Sequence, residues 1–266
     1  MTKPQEIPSV TLHGGASMPL LGFGTWQIRG RRAYDAVRTA LDVGYRHIDT
    51  ATMYGNEAEV GRALHDSGLD RQDVFVTTKM PPSSAGRERA TLAASLRALD
   101  TEYVDLWLVH WPPSARQLVP VWREFVALRD EGKALSVGVS NYSVAQIDVL
   151  IRATGQPPAV NQIPWGPTLY DPGVLAASRD LGVVVEGYSP LKNTNLNDPV
   201  LAEIAARHGV TPAQVVLRWH IEHGVAVIPK SARPDRIAAN IDLFGFALTA
   251  GEIALIDGMS ARWSIP

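Results

Sequence analysis

The sequence predicts a single α/β domain built as a closed (β/α)8 barrel, the TIM barrel architecture. Eight short apolar runs alternate with helical patterns along the 266 residues, without a linker, a repeat or a low-complexity tract. The length is close to the roughly 250 residues of a typical (β/α)8 barrel. A hydrophobic content of 45% is sufficient for one large core. A doubly wound parallel sheet is the structural alternative.

The predicted strands are mostly apolar rather than alternating, as expected where both faces of a parallel sheet are covered. They span residues 21–24, 46–49, 74–78, 104–109, 135–139, 159–162, 183–187 and 225–228. The predicted helices span residues 31–43, 56–65, 86–99, 118–131, 144–152, 172–181, 212–222 and 234–243.

Two segments lie outside these eight units. Residues 10–19 form a predicted β-hairpin that turns at Gly14-Gly15, in a position to plug the bottom of the barrel. Thr249 and Glu252 have capping-box spacing and predict an extra C-terminal helix that runs to about Met259. We expect residues 1–266 to form one domain.

Composition narrows the possible partners and the cellular location. The formal net charge is −2 with acids and bases interspersed, which argues against nucleic acid and anionic membranes and favours small molecules. The sequence contains no cysteine, which excludes disulfides and cysteine-ligated metals and fits a reducing compartment. No apolar core of signal-peptide length opens the chain, and no run approaches the roughly 20 residues that span a bilayer. We therefore expect a cytoplasmic, monomeric protein without a metal.

Ionisable side chains follow three successive predicted strands. Asp49 ends the second strand and Tyr54 lies in the loop after it, while Lys79 and His110 follow the third and fourth strands. Each has an ordinary structural interpretation: a turn cap, a surface aromatic, a solvated lysine and a histidine that satisfies backbone groups. Because the carboxyl ends of barrel strands meet at one face, their matched positions favour a catalytic site.

These four residue types suit proton transfer to a carbonyl oxygen. A free tyrosine has a pKa near 10, and a nearby ammonium is expected to lower it by about one to three units. Asp49 would keep Lys79 charged and fixed in place, and His110 could donate a hydrogen bond to the same substrate oxygen. The set is therefore interpreted as a tuned general acid beside an orienting donor.

Further motifs occur in order along nearly the whole chain. They are Gly22-Phe23-Gly24-Thr25-Trp26, residues 44–51 with Tyr54-Gly55-Asn56-Glu57, Lys79, His110-Trp111-Pro112, residues 138–142, Asn161-Gln162, Tyr188-Ser189-Pro190-Leu191 and Ile228-Pro229-Lys230-Ser231. From about Leu12 to Met259 the chain resembles the NADPH-dependent aldo-keto reductases. The likeness is closest to their shorter bacterial members of the 2,5-diketogluconate reductase type.

The resemblance implies a catalytic set of Tyr54 as proton donor, Lys79 and Asp49 as its tuning pair, and His110 as the residue that orients the carbonyl. It also implies a nicotinamide across the barrel mouth, its ring stacked on Tyr188. The other cofactor-binding residues that it implies are Gly24, Thr25, Trp26, Asp49, Ser140, Asn141, Gln162, Ser189 and Leu191. Hydride would pass from the nicotinamide to the substrate carbon while the tyrosine protonates the oxygen.

The choice of cofactor can be argued from charge. Lys230, Ser231 and Arg236 follow the last strand and open a helix, where a phosphate could bind. An adenosine 2′-phosphate fits two cations better than a bare ribose hydroxyl does, which predicts NADPH. Arg233 and Asn240 are further candidates, for phosphate and adenine respectively.

Two alternatives bear on this cofactor prediction. The first is a solvated helix start in which Arg236 pairs with Asp235 or Asp242. The second is a Rossmann site, which the sequence does not support, because Gln27 stands where the third glycine of Gly-x-Gly-x-x-Gly would be.

The chain also departs from the family pattern. Pro164 stands where an acid is usual and Ala239 where an acid or amide usually meets the adenine. The loop after His110 is short and the sequence ends at Pro266, so we expect an open pocket.

Aromatic loop residues predict the lining of that pocket. The substrate-contact candidates are Trp26, Tyr54, His110 and Trp111, with Met80, Trp165 and Trp263 as further ones. An apolar rim favours aldehydes and ketones of modest size without choosing among them. Two other functions stay open: a nicotinamide-binding regulatory module, and a Schiff-base aldolase with Lys79 as nucleophile.

Overall fold

The computed structural model describes residues 7–192 and 194–260. In this part of the chain an antiparallel hairpin precedes one sheet of eight parallel strands, which are neighbours in sequence order. The hairpin strands are β1 (Ser9–Thr11) and β2 (Ser17–Pro19). The parallel strands are β3 (Phe23–Gly24), β4 (His47–Asp49), β5 (Phe75–Met80), β6 (Val104–Val109), β7 (Ala134–Ser140), β8 (Val160–Pro164), β9 (Val184–Tyr188) and β10 (Ala226–Val227).

Helices follow the parallel strands as predicted, with one addition. Those in the described part of the chain are α1 (Arg31–Asp42), α2 (Glu57–Asp66), α3 (Glu88–Leu99), α4 (Ala115–Asp130), α5 (Val144–Thr154), α6 (Pro172–Asp180), α7 (Pro199–His208), α8 (Pro212–Glu222), α9 (Pro234–Ile241) and α10 (Ala250–Asp257). Helix α7 was not predicted. Its signal was available, because Asp198 caps the Val200 amide at 2.9 Å and Pro199 occupies the first helical position.

The sheet closes into a barrel between its first and last strands. Leu21 bridges Val227 in parallel, and the Gly22 amide donates to the Val227 carbonyl at 2.9 Å. Regular pairing here covers fewer residues than predicted, since β3 and β10 each contain two. A Cβ on Gly22 would lie 2.7 Å from His47 Nδ1, so this close approach requires glycine.

The hairpin packs against the amino-terminal ends of the barrel strands. Met18 and Leu20 belong to one buried cluster with the barrel residues Leu106, Leu108 and Val160. This packing places the hairpin where the sequence predicted a plug.

The outer layer and the C-terminal helix are held by local contacts. Trp107 of β6 stacks on Phe125 of α4 with ring centroids 3.8 Å apart. The predicted capping box is present: the Glu252 amide donates to Thr249 Oγ1 at 3.2 Å, and Glu252 Oε2 accepts from the Thr249 amide at 2.8 Å. Among the residues described, no helix has the length and apolar character needed to cross a membrane.

Candidate active site

The carboxyl ends of β4 and β5 bring Asp49 and Lys79 into direct contact. Asp49 is level with Thr77 in the strand register, which places the lysine just above the carboxylate. Lys79 Nζ lies 2.7 Å from Asp49 Oδ1, 2.6 Å from Oδ2 and 2.9 Å from the Thr50 carbonyl oxygen. Both side chains are buried, so this is a desolvated ion pair with fixed geometry.

Tyr54 completes the predicted trio from a 3-10 turn over Thr52–Tyr54. Its hydroxyl oxygen lies 3.4 Å from Lys79 Nζ. Two features hold the turn over the strand ends. Thr52 Oγ1 donates to the Lys79 carbonyl at 2.9 Å, and Gly55 ends the turn with a left-handed φ of 65°.

Asn56 connects the two loops at the barrel mouth, a role that sequence reasoning missed. Its Nδ2 donates to the Thr25 carbonyl at 3.0 Å and the Ile28 carbonyl at 2.8 Å, while Oδ1 accepts from Thr50 at 2.7 Å. Thr25, predicted to bind the cofactor, donates its hydroxyl to the Asp49 carbonyl at 2.9 Å. Both polar side chains are buried and hold the loops around Tyr54.

Burial dominates the electrostatics of Tyr54. It raises the pKa of the phenol above its usual range, and Lys79 only partly opposes this effect. Lys79 lowers the pKa as predicted, but the net pKa is raised, because desolvation of the phenolate outweighs its attraction to the ammonium. Burial also lowers the pKa of Lys79, but Asp49 and Tyr54 outweigh it, so the net pKa is raised and the ammonium persists.

His110 lies beside Tyr54, with its ring centroid 5.7 Å from the phenol ring in an edge-on arrangement. Burial and then Lys79 lower the pKa of His110 to about 3, so the imidazole is neutral at physiological pH. Within the described residues its buried Nδ1 has no hydrogen-bond partner. A neutral imidazole has a single N–H to donate.

The residues predicted to hold a carboxamide form a network of their own. Asn141 Nδ2 donates to the His110 carbonyl at 3.1 Å and to Ser140 Oγ at 3.0 Å, and its Oδ1 accepts from the Tyr188 hydroxyl at 2.8 Å. Ser140 Oγ donates to the Gln162 carbonyl at 2.8 Å. Asn141 has a positive φ of 64°, an uncommon conformation that this network stabilises.

Gln162 links this network to the ion pair and to a carboxyl group that the sequence analysis missed. Its Nε2 donates to Asp49 Oδ2 at 2.9 Å and to Glu186 Oε2 at 2.8 Å. Glu186 lies in β9, is fully buried and is 3.5 Å from His47 Nε2. A polar residue within an apolar strand was the available signal, but the sequence does not show which face of the strand it occupies.

A cavity of about 730 Å³ opens above these residues. It is lined by most of the predicted cofactor and substrate residues, namely Gly24, Trp26, Asp49, Tyr54, His110, Trp111, Ser140, Asn141, Gln162, Tyr188, Ser189, Leu191 and Lys230. Residues that were not predicted also line it, namely Gln27, Met53, Pro190, Lys192, Ile228 and Pro229.

Other predicted pocket residues lie elsewhere. Met80 and Trp165 are buried in the core and do not line the cavity, so their prediction as substrate contacts is wrong. Both lie at a carboxyl end of a strand but pack away from the barrel mouth. Trp263 lies outside the described residues.

The residues predicted to bind a phosphate lie around the start of α9. Lys230 and Arg236 are exposed, and neither has an ion-pair partner among the described residues. Arg233 instead pairs with Asp235 at 2.6 Å, and Ser231 Oγ accepts from the Arg233 amide at 3.1 Å. The alternative in which Arg236 pairs with an acid is thus not observed.

Two predictions remain: Asn240 as an adenine contact, and a protein without a metal. Asn240 is buried in α9 and does not line the cavity. No group of three or more metal-ligating side chains occurs in the part of the chain that the structure describes.

Comparisons with known proteins identify the family of this chain. A model described as the Aldo/keto reductase family matches residues 20–261. The chain belongs to this family. An aldo-keto reductase of Mycolicibacterium smegmatis is 46% identical over 254 residues, covering 94% of this chain and 92% of the relative.

Two further similar proteins are a reductase whose name includes its substrate and a protein whose crystal structure is known. The 2,5-diketo-D-gluconic acid reductase B of Corynebacterium sp. is 41% identical over 259 residues, covering 96% of this chain and 94% of the relative. The crystal structure of an aldo/keto reductase from Brucella melitensis superposes with a TM-score of 0.93 at 42% identity, covering 96% of this chain and 100% of that one. This aldo-keto reductase is therefore an oxidoreductase, with carbonyl reduction as the general activity that its family supports.

Proposed function

We propose that this aldo-keto reductase reduces aldehydes and ketones to alcohols with NADPH, and that Tyr54 donates the proton. The observation that carries the proposal is the position of Lys79 Nζ, between the Asp49 carboxylate and the Tyr54 hydroxyl oxygen 3.4 Å away. The phenol and His110 both line the cavity where a carbonyl compound can bind.

The ion pair assists the proton transfer without moving. Tyr54 is protonated at neutral pH, because burial raises its pKa. As its proton moves to the substrate oxygen, negative charge develops on the phenol oxygen next to a fixed ammonium. A preorganised charge in a desolvated site stabilises such a transition state more than water does. Lys79 therefore lowers the barrier although it does not make the resting phenol a stronger acid than free tyrosine.

His110 is assigned to the orientation of the substrate. Because its imidazole is neutral, it can offer one N–H to the carbonyl oxygen without competing for the proton that Tyr54 donates. The edge-on packing of the two rings keeps both donors on the same side of the cavity. This geometry favours one approach of the carbonyl group.

The cavity wall fits a nicotinamide. Gln162 uses both amide protons on Asp49 and Glu186, so its remaining polar atom is the amide oxygen, an acceptor for a carboxamide NH₂. Asn141 Oδ1 is a second acceptor, held in place by Tyr188, whose half-buried ring also lines the cavity. When bound, the nicotinamide supplies the hydride, and these residues hold its ring against the substrate.

The preference for NADPH is supported by unpaired charge. Lys230 lines the cavity and Arg236 lies on α9, both exposed and without an acidic partner among the described residues. Two free cations favour a 2′-phosphate over a ribose hydroxyl. The nearby pairing of Arg233 with Asp235 leaves these two as the candidates for that contact.

The rim of the cavity supports an apolar or aromatic carbonyl substrate. Trp26, Met53 and Trp111 are 44%, 57% and 48% exposed, high values for such large apolar side chains. Apolar groups exposed around a cavity are common where a ligand covers them. We therefore propose aldehydes and ketones of modest size as the substrate class.

The aldolase alternative is disfavoured by the state of Lys79. A Schiff-base lysine must be a free amine that reaches the substrate. Here Nζ is fully buried, and Asp49 and the Thr50 carbonyl accept its protons at 2.6 to 2.9 Å.

A panel of aldehydes and ketones assayed with NADPH and with NADH tests the proposal. We expect carbonyl-dependent loss of the reduced nicotinamide absorbance, faster with NADPH. Binding is followed separately by quenching of tryptophan fluorescence, since Trp26 and Trp111 line the cavity. Tight binding without turnover across the panel would indicate the regulatory module instead. Borohydride trapping of a substrate on Lys79 would replace the reductase with the aldolase.

A further inference from the structure

Glu186 is a buried carboxyl group to which the proposed mechanism assigns no role. It lies in β9 with no exposed surface, and its Oε2 accepts from Gln162 Nε2 at 2.8 Å. The same nitrogen donates to Asp49 Oδ2 at 2.9 Å. One amide nitrogen therefore bridges two carboxyl groups, and a hydrogen-bonded chain runs from Glu186 through Gln162, Asp49 and Lys79 to Tyr54.

The other oxygen of Glu186 faces a histidine whose protonation is defined by its neighbours. His47 Nδ1 lies 3.2 Å from the Pro19 carbonyl oxygen, which can only accept, so Nδ1 carries the proton. Burial lowers the pKa of His47 to about 4, so at neutral pH Nε2 is an acceptor, and Thr77 Oγ1 lies 3.2 Å from it. His47 Nε2 lies 3.5 Å from Glu186 Oε1, and Oε1 has no hydrogen-bond partner among the described residues.

Charge balance indicates which form Glu186 takes. The titratable and charged groups that face it are His47 and Asp49 on β4 and Lys79 on β5. Lys79 and Asp49 already neutralise each other at 2.6 Å, and His47 is neutral. An ionised Glu186 would add a second buried anion without a cation of its own, which is costly in a desolvated interior. A protonated Glu186 adds no charge to this interior, and its Oε2 still accepts from Gln162.

We propose that Glu186 is a positioning residue that stays a neutral carboxylic acid at neutral pH and, through Gln162, leaves Asp49 as the single anion beside Lys79. The inference rests on the proposed reductase function, because the ion pair matters through Tyr54. With Glu186 neutral, no second anion opposes the attraction between Lys79 and the negative charge that develops on the phenol oxygen. Ionisation of Glu186 adds a negative charge to the network and opposes that development.

The same contact sets the orientation of Gln162. Since both amide protons are donated inwards to Asp49 and Glu186, the amide oxygen is the atom left for the cofactor side.

Burial and then Asp49 raise the pKa of Glu186 to about 8, so the carboxyl is protonated across the neutral range and ionises above it. Reduction should therefore slow on the alkaline side of pH 8.

Infrared spectroscopy of the resting protein tests the protonation state without any turnover. The difference spectrum between wild type and Glu186→Gln should contain the C=O band of a protonated carboxylic acid at neutral pH. The band should disappear with a midpoint near pH 8. Absence of the band at neutral pH overturns the inference and leaves the reductase proposal intact. If Glu186→Gln does not fold, wild-type protein with isotopically labelled glutamate gives the same titration, and labelling separates it from aspartate bands.

The pH profile of kcat/KM for carbonyl reduction tests the positioning role. Wild type should lose activity severalfold above about pH 8, and Glu186→Gln, which cannot ionise, should lose that decline. Asp105→Asn is the matched control, because Asp105 is a buried carboxyl of β6 bound to Arg71, away from Tyr54. The control should keep the wild-type decline. A protonated Glu186 with an unchanged profile in Glu186→Gln would overturn the positioning role, and an inactive wild type would contradict the reductase proposal alone.

Discussion

Two buried or partly buried ion pairs lie at opposite ends of the barrel, and they are built differently. At the amino-terminal end, Arg71 contacts Asp105 Oδ2 at 2.7 Å, Thr101 Oγ1 at 3.0 Å and the carbonyls of Val74 and Tyr103 at 2.6 and 3.1 Å. Its guanidinium also lies over the Tyr103 ring at 4.4 Å. Each guanidinium nitrogen thus donates to the fold, although the side chain is 24% exposed.

The pair at the carboxyl end is fully buried but contacts a residue that lines the cavity. Lys79 is held by Asp49 and the Thr50 carbonyl, but its contact with Tyr54, at 3.4 Å, is longer and points towards the cavity. A cation with all its donors satisfied by the fold contributes to stability, whereas one aimed at a titratable group beside a cavity can act on chemistry. We infer that surroundings, and not burial alone, separate a structural ion pair from a catalytic one.

The largest expected effect comes from removing the Tyr54 hydroxyl, which Lys79 Nζ contacts. Tyr54→Phe should lower kcat for carbonyl reduction by about 10²- to 10⁴-fold, the usual range for loss of a general acid. NADPH affinity should change little, since the phenol hydroxyl contacts Lys79 and not the predicted carboxamide group. Steady-state rates and fluorescence titration measure the two quantities. Turnover at the wild-type rate would remove Tyr54 from the acid role.

Replacing each cation in turn tests the comparison directly. Lys79→Met should lower kcat by at least about 10²-fold, because the charge that stabilises the phenolate is lost. Arg71→Met should keep kcat but lower the free energy of unfolding by roughly 3 kcal/mol, since Asp105 and two carbonyls lose a charged donor. Urea unfolding and initial rates are compared for both variants. If Arg71→Met lost activity while remaining folded, the distinction between the two pairs would fail.

A smaller effect is expected from Arg236, an exposed cation of α9 that has no ion-pair partner among the described residues. Arg236→Ala should weaken NADPH binding about tenfold, or about 1.4 kcal/mol, and leave NADH affinity nearly unchanged. Arg233→Ala is the matched control, because Arg233 already pairs with Asp235. Equal losses for NADPH and NADH would contradict the assignment of the 2′-phosphate to Arg236.

The smallest effect concerns pH on the acid side. Burial and Lys79 lower the pKa of His110 to about 3, and burial lowers that of His47 to about 4, so neither ring gains a proton between about pH 5 and pH 7, where an ordinary histidine titrates. We expect kcat/KM for reduction to be flat over this range. An inflection in kcat/KM near the usual histidine pKa would contradict this expectation. If His110→Asn removed that inflection, His110 would be the group that gains the proton.

Much of the site could be predicted because strand ends are periodic features of the sequence. Asp49, Lys79 and His110 each follow a short apolar run, and a barrel brings such positions to one face. Met80 and Trp165 follow strands too, yet both are buried in the core. Position along a strand predicts the level of a residue in the barrel but not the direction of its side chain.

The parts that sequence reasoning missed depend on contacts between distant strands. Glu186 and Gln162 are hydrogen-bonded at 2.8 Å across β9 and β8, and Gln162 reaches Asp49 across the barrel. No local sequence pattern predicts these contacts among Glu186, Gln162 and Asp49. The sign of the pKa change at Tyr54 was missed for a related reason, since the sequence shows that a lysine is nearby but not how deeply the phenol is buried.

Residue order thus determined the alternation of strands and helices, the hairpin, the capping box at Thr249 and the choice of residues proposed for proton transfer. These follow from local rules of hydrophobic periodicity and capping. The tertiary structure decided which cation contacts a tyrosine that lines the active-site cavity, and which carboxyl shares an amide with Asp49. Those properties depend on desolvation and on distances between segments far apart in the chain.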